Sequence, residues 1–160
     1  MEAQTIAPHI EEIFDESIAQ ERKVATLYRL FAKIFSEEAD FWACLAEEEE
    51  EHAVIIHSAK EHLFSEGLFP LQALDPDLDN IRKINTGLDR LTQHFTEVPP
   101  TLKEALLQAL ELEMTSTEYY YSFAMNLPFK TPALELLRSL TGENRYHVSK
   151  IMQVIRKIWR

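Results

Sequence analysis

Apolar residues recur at alternating steps of three and four along four long stretches of the sequence, and this periodicity constrains the fold more than any other feature. Such spacing places the apolar side chains on one face of an α-helix. The four stretches predict helices at about 9–35, 38–65, 100–127 and 132–159. Each helix would be roughly 40 Å long at 1.5 Å per residue, and rods of equal length are expected to pack as a bundle.

The connections predict how these helices are joined. Short links at 36–38 and 128–131 favour two antiparallel helical hairpins. The segment 66–99 contains prolines and a further helical pattern, so it is interpreted as a long crossover with a short extra helix, interrupted or weakened near Gly87. The sequence therefore predicts one all-α domain over 1–160, an antiparallel four-helix bundle built from two hairpins.

Charge and composition exclude several classes of protein. The formal net charge of −11 leaves no basic face for a nucleic-acid backbone. No apolar run approaches the roughly 18 residues that a membrane span needs, and the first residues lack the pattern of a signal peptide. The single cysteine, Cys44, excludes an intrachain disulfide and a metal site made of several thiolates. We expect a cytoplasmic protein that binds neither nucleic acid nor membrane.

The middle of each helical stripe is polar, although its two ends are apolar. The residues that break the apolar pattern are Glu21, Glu49, His52, Glu113, Asn144 and His147. Of the five consecutive glutamates at 47–51, Glu49 falls on the stripe, Glu48 lies at its edge and the other three can face water. Burying unpaired carboxylates costs several kcal/mol, and no lysine or arginine occupies these positions, so protons or metal ions must compensate.

The polar pattern repeats between the two predicted hairpins. In each half an acidic or amide residue precedes a histidine by three, and a glutamate precedes a tyrosine by seven; the pairs are Glu49 with His52, Asn144 with His147, Glu21 with Tyr28, and Glu113 with Tyr120. Residues three apart are neighbours on one helix face and can join one ligand cluster. The repetition predicts duplicated halves related by a pseudo-twofold axis.

The polar positions lie in four sequence motifs, ERKVATLY (21–28), LAEEEEEHA (45–53), ELEMTSTEYY (111–120) and LTGENRYH (140–147). Together these motifs resemble the ferritin-like superfamily and, within it, the short rubrerythrin-type proteins. Ferritin-like metal bundles use one Glu from each of two helices and Glu-x-x-His from each of the other two. The resemblance implies a di-iron site in which Glu21 and Glu113 are terminal carboxylates, Glu49 is a bridging carboxylate, His52 and His147 are terminal imidazoles, and Tyr28 and Tyr120 hydrogen-bond to carboxylates.

The second Glu-x-x-His motif departs from the family pattern. Asn144 stands where a second bridging glutamate belongs, and a neutral amide is a poor bridge. Our hypothesis is that Glu143 reaches inward instead, aided by a one-residue π-bulge. Ser116 occupies the position of a further glutamate that rubrerythrins use in peroxide reduction, and one cysteine cannot build a rubredoxin-type domain. Electrons would then come from a separate protein.

These features favour an oxidoreductase with an imperfect di-iron site that acts on oxygen or peroxide, with manganese or zinc as other candidate metals. Two alternatives remain open. The first is a metal-binding or iron-handling protein without turnover; the second is a metal-free scaffold that acts through protein contacts, its carboxylates protonated or paired with His52 and His147. The aromatic residues Trp42 and Trp159 are interpreted as a homodimer surface. The histidines off the stripes are expected on the surface or in loops: His9, His57, His62 and His94.

Overall fold

The computed structural model describes residues 3–66, 78–126 and 130–159, and all regular elements in these ranges are helical. They are α1 (Ala3–Ile34), a 3₁₀ turn (Ser36–Glu38), α2 (Ala39–Glu66), α3 (Leu78–Glu97), α4 (Leu102–Asn126) and α5 (Pro132–Ile158). The predicted all-helical class is confirmed. No helix in these ranges is both long and apolar enough to cross a membrane.

α1 begins earlier than the periodicity predicted. It starts at Ala3 rather than near residue 9, so Pro8 lies inside the helix and not before it. Pro8 is the sixth residue of α1, beyond the first four N–H groups that lack an acceptor within the helix, so it removes one backbone hydrogen bond near the start of the helix. The apolar pattern thus predicted this helix but not its first residue.

Two apolar clusters at opposite ends of the molecule reveal the directions of the helices. The first cluster joins the C-terminal halves of α1 and α5 to the N-terminal halves of α2 and α4. The second cluster joins the N-terminal halves of α1 and α5 to the C-terminal half of α2. α1 and α5 therefore run in one direction, while α2 and α4 run in the other. Because α2 and α4 are parallel, the chain between them must return along the length of the molecule.

α3 lies on this return and packs along α1, while α2 packs against α1 and α5, and α5 packs against α4. The predicted interruption near Gly87 is wrong, because α3 continues unbroken for 20 residues. A glycine weakens a helix by about 1 kcal/mol, which the burial of Ile81 and Leu88 against neighbouring helices outweighs. Asn85 adds a polar contact to α1: its Nδ2 donates to Oε2 of Glu16 over 2.7 Å.

Local capping residues begin the helices of the second hairpin. The backbone N–H of Thr101 donates to the Glu104 carboxylate over 2.8 Å, and the backbone N–H of Glu104 donates to the Thr101 hydroxyl over 3.3 Å. This reciprocal pair is a capping box, which satisfies backbone donors that have no partner within α4. At the start of α5 the Thr131 hydroxyl accepts from the backbone N–H of Leu134, with Pro132 in the first turn.

Burial corrects one expectation about the two tryptophans. Trp42 is completely buried, and its ring lies edge-on to that of Phe31 with centroids 4.9 Å apart. The interpretation of Trp42 as part of a homodimer surface is therefore wrong, because this residue fills the first apolar cluster. Trp159 is exposed.

Candidate metal centre

A layer of buried ionisable side chains separates the two apolar clusters. Each of the four helices α1, α2, α4 and α5 contributes to it, and its members are Glu21, Glu49, His52, Glu113 and His147, none more than 4% exposed. Their helices reach this level because the polar position lies near the middle of each apolar stripe. The structure thus brings together five of the side chains that the sequence proposed as metal ligands.

The first half of the layer surrounds His52 on α2. Its Nδ1 atom lies 3.7 Å from Oε2 of Glu21 and 3.4 Å from Oε2 of Glu49. Both separations exceed the about 2.7–3.2 Å of a good N–H···O hydrogen bond. The three atoms nevertheless converge on one small volume between α1 and α2.

The second half of the layer surrounds His147 on α5 in the same way. Its Nδ1 atom lies 3.0 Å from Oε1 of Glu49 and 3.3 Å from Oε2 of Glu113. The two imidazole rings stack with centroids 5.1 Å apart. Each histidine therefore presents the same ring nitrogen to a pair of carboxylate oxygens.

Glu49 connects the two halves because its two oxygens face different histidines. Oε2 is directed to His52, whereas Oε1 is directed to His147 and has no aligned hydrogen-bond donor among the described residues. Two ligand atoms bound to one ion at about 2.1 Å, at angles near 90–110°, lie about 3.0–3.4 Å apart. Three of the four separations around the two Nδ1 atoms fall in this range, so these donors are close enough to share metal ions. In the metal-free chain the contact between His147 and Glu113 is also a hydrogen bond.

Tyr28 fixes one of the carboxylates from α1. Its hydroxyl donates to Oε1 of Glu113 over 2.7 Å, and the tyrosine is completely buried. Burial and the nearby charges of Glu113 and Glu49 raise the pKa of Tyr28 well above its usual value, so the phenol stays a neutral donor. The other oxygen of Glu113 is the one that faces His147. This contact matches the hydrogen bond that the resemblance implied for Tyr28.

Burial and mutual contacts shift the protonation of the layer. Burial, reinforced by the charge of Glu49, raises the pKa of Glu21 to about 8. Burial alone would lower the pKa of His52, but the adjoining carboxylates of Glu21 and Glu49 outweigh it and raise the value to about 11. The balance is the same for His147, where Glu113 and Glu49 raise the pKa to about 10. In the metal-free chain at neutral pH, both imidazoles are therefore protonated on both ring nitrogens, and their positive charges balance the charges of the carboxylates.

The donor set suits several divalent metals. Ligand atoms of Glu49, His52 and His147 all lie within 4.8 Å of one another, which is close enough for a shared ion. Carboxylate oxygens with imidazole nitrogens suit iron, manganese and zinc, whereas a soft copper or iron–sulfur site would need thiolates. Cys44 is exposed and contacts Glu48 rather than the buried layer. The residues present thus fit the metals that the sequence proposed.

Other predicted residues lie outside the centre or outside the described side chains. Nothing is described of the side chains of Tyr120, Glu143 and Asn144, so the proposed inward reach of Glu143 stays a prediction. The π-bulge proposed to aid it is absent, because α5 is a regular α-helix through residues 141–150. The side chains of Ser116 and His9 likewise lie outside the described part of the structure. The remaining off-stripe histidines are exposed, and each belongs to a helix: His57 and His62 to α2, and His94 to α3.

The structure adds Glu48 and Lys150, which the sequence did not nominate as functional residues. Glu48 reaches the outer side of His147, with its Oε2 atom 2.9 Å from Nε2 of the imidazole. Lys150 forms an ion pair with the other oxygen of Glu48. Partial burial acts to raise the pKa of Glu48, but the hydrogen bond from Lys150 and the charge of His147 lower it overall. The sequence did contain a signal for these two residues. Lys150 follows His147 by three residues and so lies on the same face of the helix, and Glu48 directly precedes the predicted ligand Glu49.

Comparisons with protein-family models, with curated proteins and with solved structures give no match for this chain.

Proposed function

We propose that this chain is a ferritin-like, rubrerythrin-type di-metal protein that acts as an oxidoreductase on oxygen or peroxide. The observation that carries the proposal is the position of the Glu49 carboxylate, whose two oxygens face the Nδ1 atoms of His52 and His147. Glu21 completes one group of donors and Glu113 the other. Two such groups joined by one carboxylate can hold a pair of ions, although the site is imperfect because Asn144 occupies the position of the family's second bridging glutamate.

The helix directions support the ferritin-like part of the proposal. Ferritin-like bundles have one long crossover, which parallel second and third bundle helices require. In this chain α2 and α4 are parallel, and the segment between them carries α3 along α1. The arrangement is the one expected for two hairpins joined in this way.

The chain's own residues would hold and shield the metal pair. Glu21, Glu49, His52, Glu113 and His147 supply the donors, while Tyr28 holds the Glu113 carboxylate by its hydrogen bond. The apolar clusters on either side limit the access of water. Iron is the metal we propose, since a bound ferrous pair supplies electrons for the reduction of oxygen or peroxide. A separate protein would return those electrons.

Metal content and an anaerobic ferrous titration test the proposal, followed by exposure to oxygen or peroxide in an absorption spectrometer. About two irons per chain and a new ferric absorption band are expected. A Glu51→Gln variant is the control for Glu49→Gln, because Glu51 is exposed on the same helix and its substitution removes the same negative charge. Iron that binds but undergoes no oxidation would contradict the oxidoreductase assignment and leave a metal-handling protein.

A specific observation favours a second candidate function, the binding of a single ion without turnover. Glu49, His52 and His147 form a group of two histidines and one carboxylate that one ion can share. One equivalent of metal per chain would select this candidate over the di-metal centre. No retained metal would select the third reading, in which the protonated histidines neutralise the carboxylates and the protein acts as a scaffold.

A further inference from the structure

The outer nitrogen of His147 contacts a carboxylate that does not belong to the proposed ligand set. While Nδ1 faces Glu49 and Glu113, Nε2 lies 2.9 Å from Oε2 of Glu48. The imidazole is 1% exposed, and the Glu48 side chain is 26% exposed. The ring therefore lies between two consecutive glutamates of α2, with Glu49 on its inner side and Glu48 on its outer side.

Glu48 is itself held from the surface. Its Oε1 atom accepts a hydrogen bond from Nζ of Lys150, and the same ammonium group lies 4.3 Å from the centroid of the Tyr146 ring. Lys150 and Tyr146 belong to α5, like His147, so the contacts connect α2 and α5 outside the metal layer. A carboxylate held in this way has a defined position from which to orient an imidazole.

The remaining oxygen of Glu48 lacks an aligned donor in the described part of the chain. Oε2 is buried, and the N–H of His147 is close enough to supply a hydrogen bond but does not point directly at it. The 2.9 Å separation nevertheless places the carboxylate against the protonated Nε2 atom in the metal-free chain, so the contact exists before any metal binds.

We propose that Glu48 is a positioning residue for the metal centre: it accepts the Nε2 proton of His147 and so directs the Nδ1 lone pair at the ion. The inference rests on the proposed metal site. A neutral imidazole that binds metal through Nδ1 must carry its proton on Nε2, and a carboxylate acceptor there fixes both the tautomer and the orientation of the ring. Loss of such an outer partner typically lowers metal affinity about 10- to 100-fold.

The test compares Glu48→Ala and Glu48→Gln with the control Glu50→Gln. Glu50 lies two residues away and pairs with Arg29 over 2.9 Å, so its substitution removes the same charge from a similar ion pair without touching His147. Zn²⁺ affinity is measured by competition with a chelating dye. We expect a loss of about 10- to 100-fold for Glu48→Ala, a smaller loss for Glu48→Gln because the amide oxygen still accepts, and no change for Glu50→Gln.

Proton NMR of ¹⁵N-labelled imidazoles gives a second readout that does not depend on metal. In the metal-free wild type, the Nε2 proton of His147 is expected as a slowly exchanging downfield resonance that Glu48→Ala removes. If Glu48→Ala leaves both this resonance and the Zn²⁺ affinity unchanged, the inference is wrong. If the wild type binds no metal, the proposed function fails, and a resonance that persists in Glu48→Ala would overturn the positioning contact separately. A Lys150→Met variant, which keeps the contact and removes its anchor, should lose less affinity than Glu48→Ala.

Discussion

Neighbouring glutamates on α2 have different surroundings because consecutive residues of a helix point about 100° apart. Glu49 faces the buried layer, Glu48 contacts the outer side of His147, and Glu51 is exposed to solvent. The side chains have the same chemistry, so helical phase alone decides which one is a candidate ligand. Substitutions at these positions therefore separate a role in the centre from a general effect of charge.

Glu49→Gln should have the largest effect on metal binding. It replaces the one carboxylate whose oxygens face both histidines, so it weakens both groups of donors. We expect the affinity for Zn²⁺ or Fe²⁺ to fall by more than the about 100-fold that the loss of an outer partner can cause. Competition titration measures the change, with Glu51→Gln as the matched control. Equal affinities for the two variants would remove Glu49 from the ligand set.

Metal binding should release protons near neutral pH. The raised pKa values of His52 (about 11), His147 (about 10) and Glu21 (about 8) mean that these groups are protonated at pH 7 in the metal-free chain. A metal must displace these protons, so its apparent affinity rises with pH, and the rise becomes less steep above about pH 8, where Glu21 is already ionised. Calorimetry in two buffers of different ionisation enthalpy counts the protons. A binding enthalpy that is independent of the buffer would contradict this protonation pattern.

At the scale of elements, α3 illustrates how packing overrides a local weakness. Gly87 lies near its middle, yet the helix is continuous because Ile81 and Leu88 bury apolar surface on the side that faces the other helices. The opposite side of α3 is exposed and gains nothing from burial. Stability on that side depends on intrinsic helix propensity, which glycine lowers.

Gly87→Ala should stabilise the protein. A Cβ atom added at this position meets no atom within 4 Å, so the substitution improves helix propensity without a steric cost. We expect the free energy of unfolding to rise by roughly 0.5–1 kcal/mol, measured by chemical denaturation. Gly142→Ala is a parallel case in α5, where the added Cβ also meets open space. A lower free energy of unfolding for Gly87→Ala would mean that α3 needs the flexibility of glycine.

At the scale of the whole molecule, the ionisable layer lies in the middle of the core. It separates one apolar cluster from the other and draws side chains from four helices. Burying charges costs free energy, which the protonated histidines offset only in part. A bound metal would instead connect α1, α2, α4 and α5 through one centre.

Metal should therefore raise the thermal stability of the whole molecule. A ligand at 100 times its Kd stabilises the folded state by about 2.7 kcal/mol, which corresponds to a rise in Tm of about 5–10 °C for a chain of this size. Differential scanning calorimetry with and without Zn²⁺ measures the rise. Glu49→Gln should show little change at the same concentration. A Tm that does not respond to metal in the wild type would contradict a centre that joins the four helices.

Much of the fold follows from local patterns in the sequence. The apolar spacing predicted all five described α-helices, including α3 as a short extra helix in the crossover, because burial of one face stabilises a helix wherever the pattern repeats. The polar positions in the middle of the stripes identified Glu21, Glu49, His52, Glu113 and His147 as one layer, since helices of similar length bring their middles to the same level. Both kinds of information depend on residue type and spacing along one chain.

The amino-acid sequence by itself thus determined the helical class and the membership of the buried layer, because periodicity sets which face of each helix is apolar. Only the tertiary structure decided that Trp42 is in the core, that α3 packs along α1, and that Glu48 lies against His147. These features depend on which helices are neighbours and on how each helix is rotated about its axis. Such relations arise from packing between distant segments, and no local pattern in the sequence specifies them.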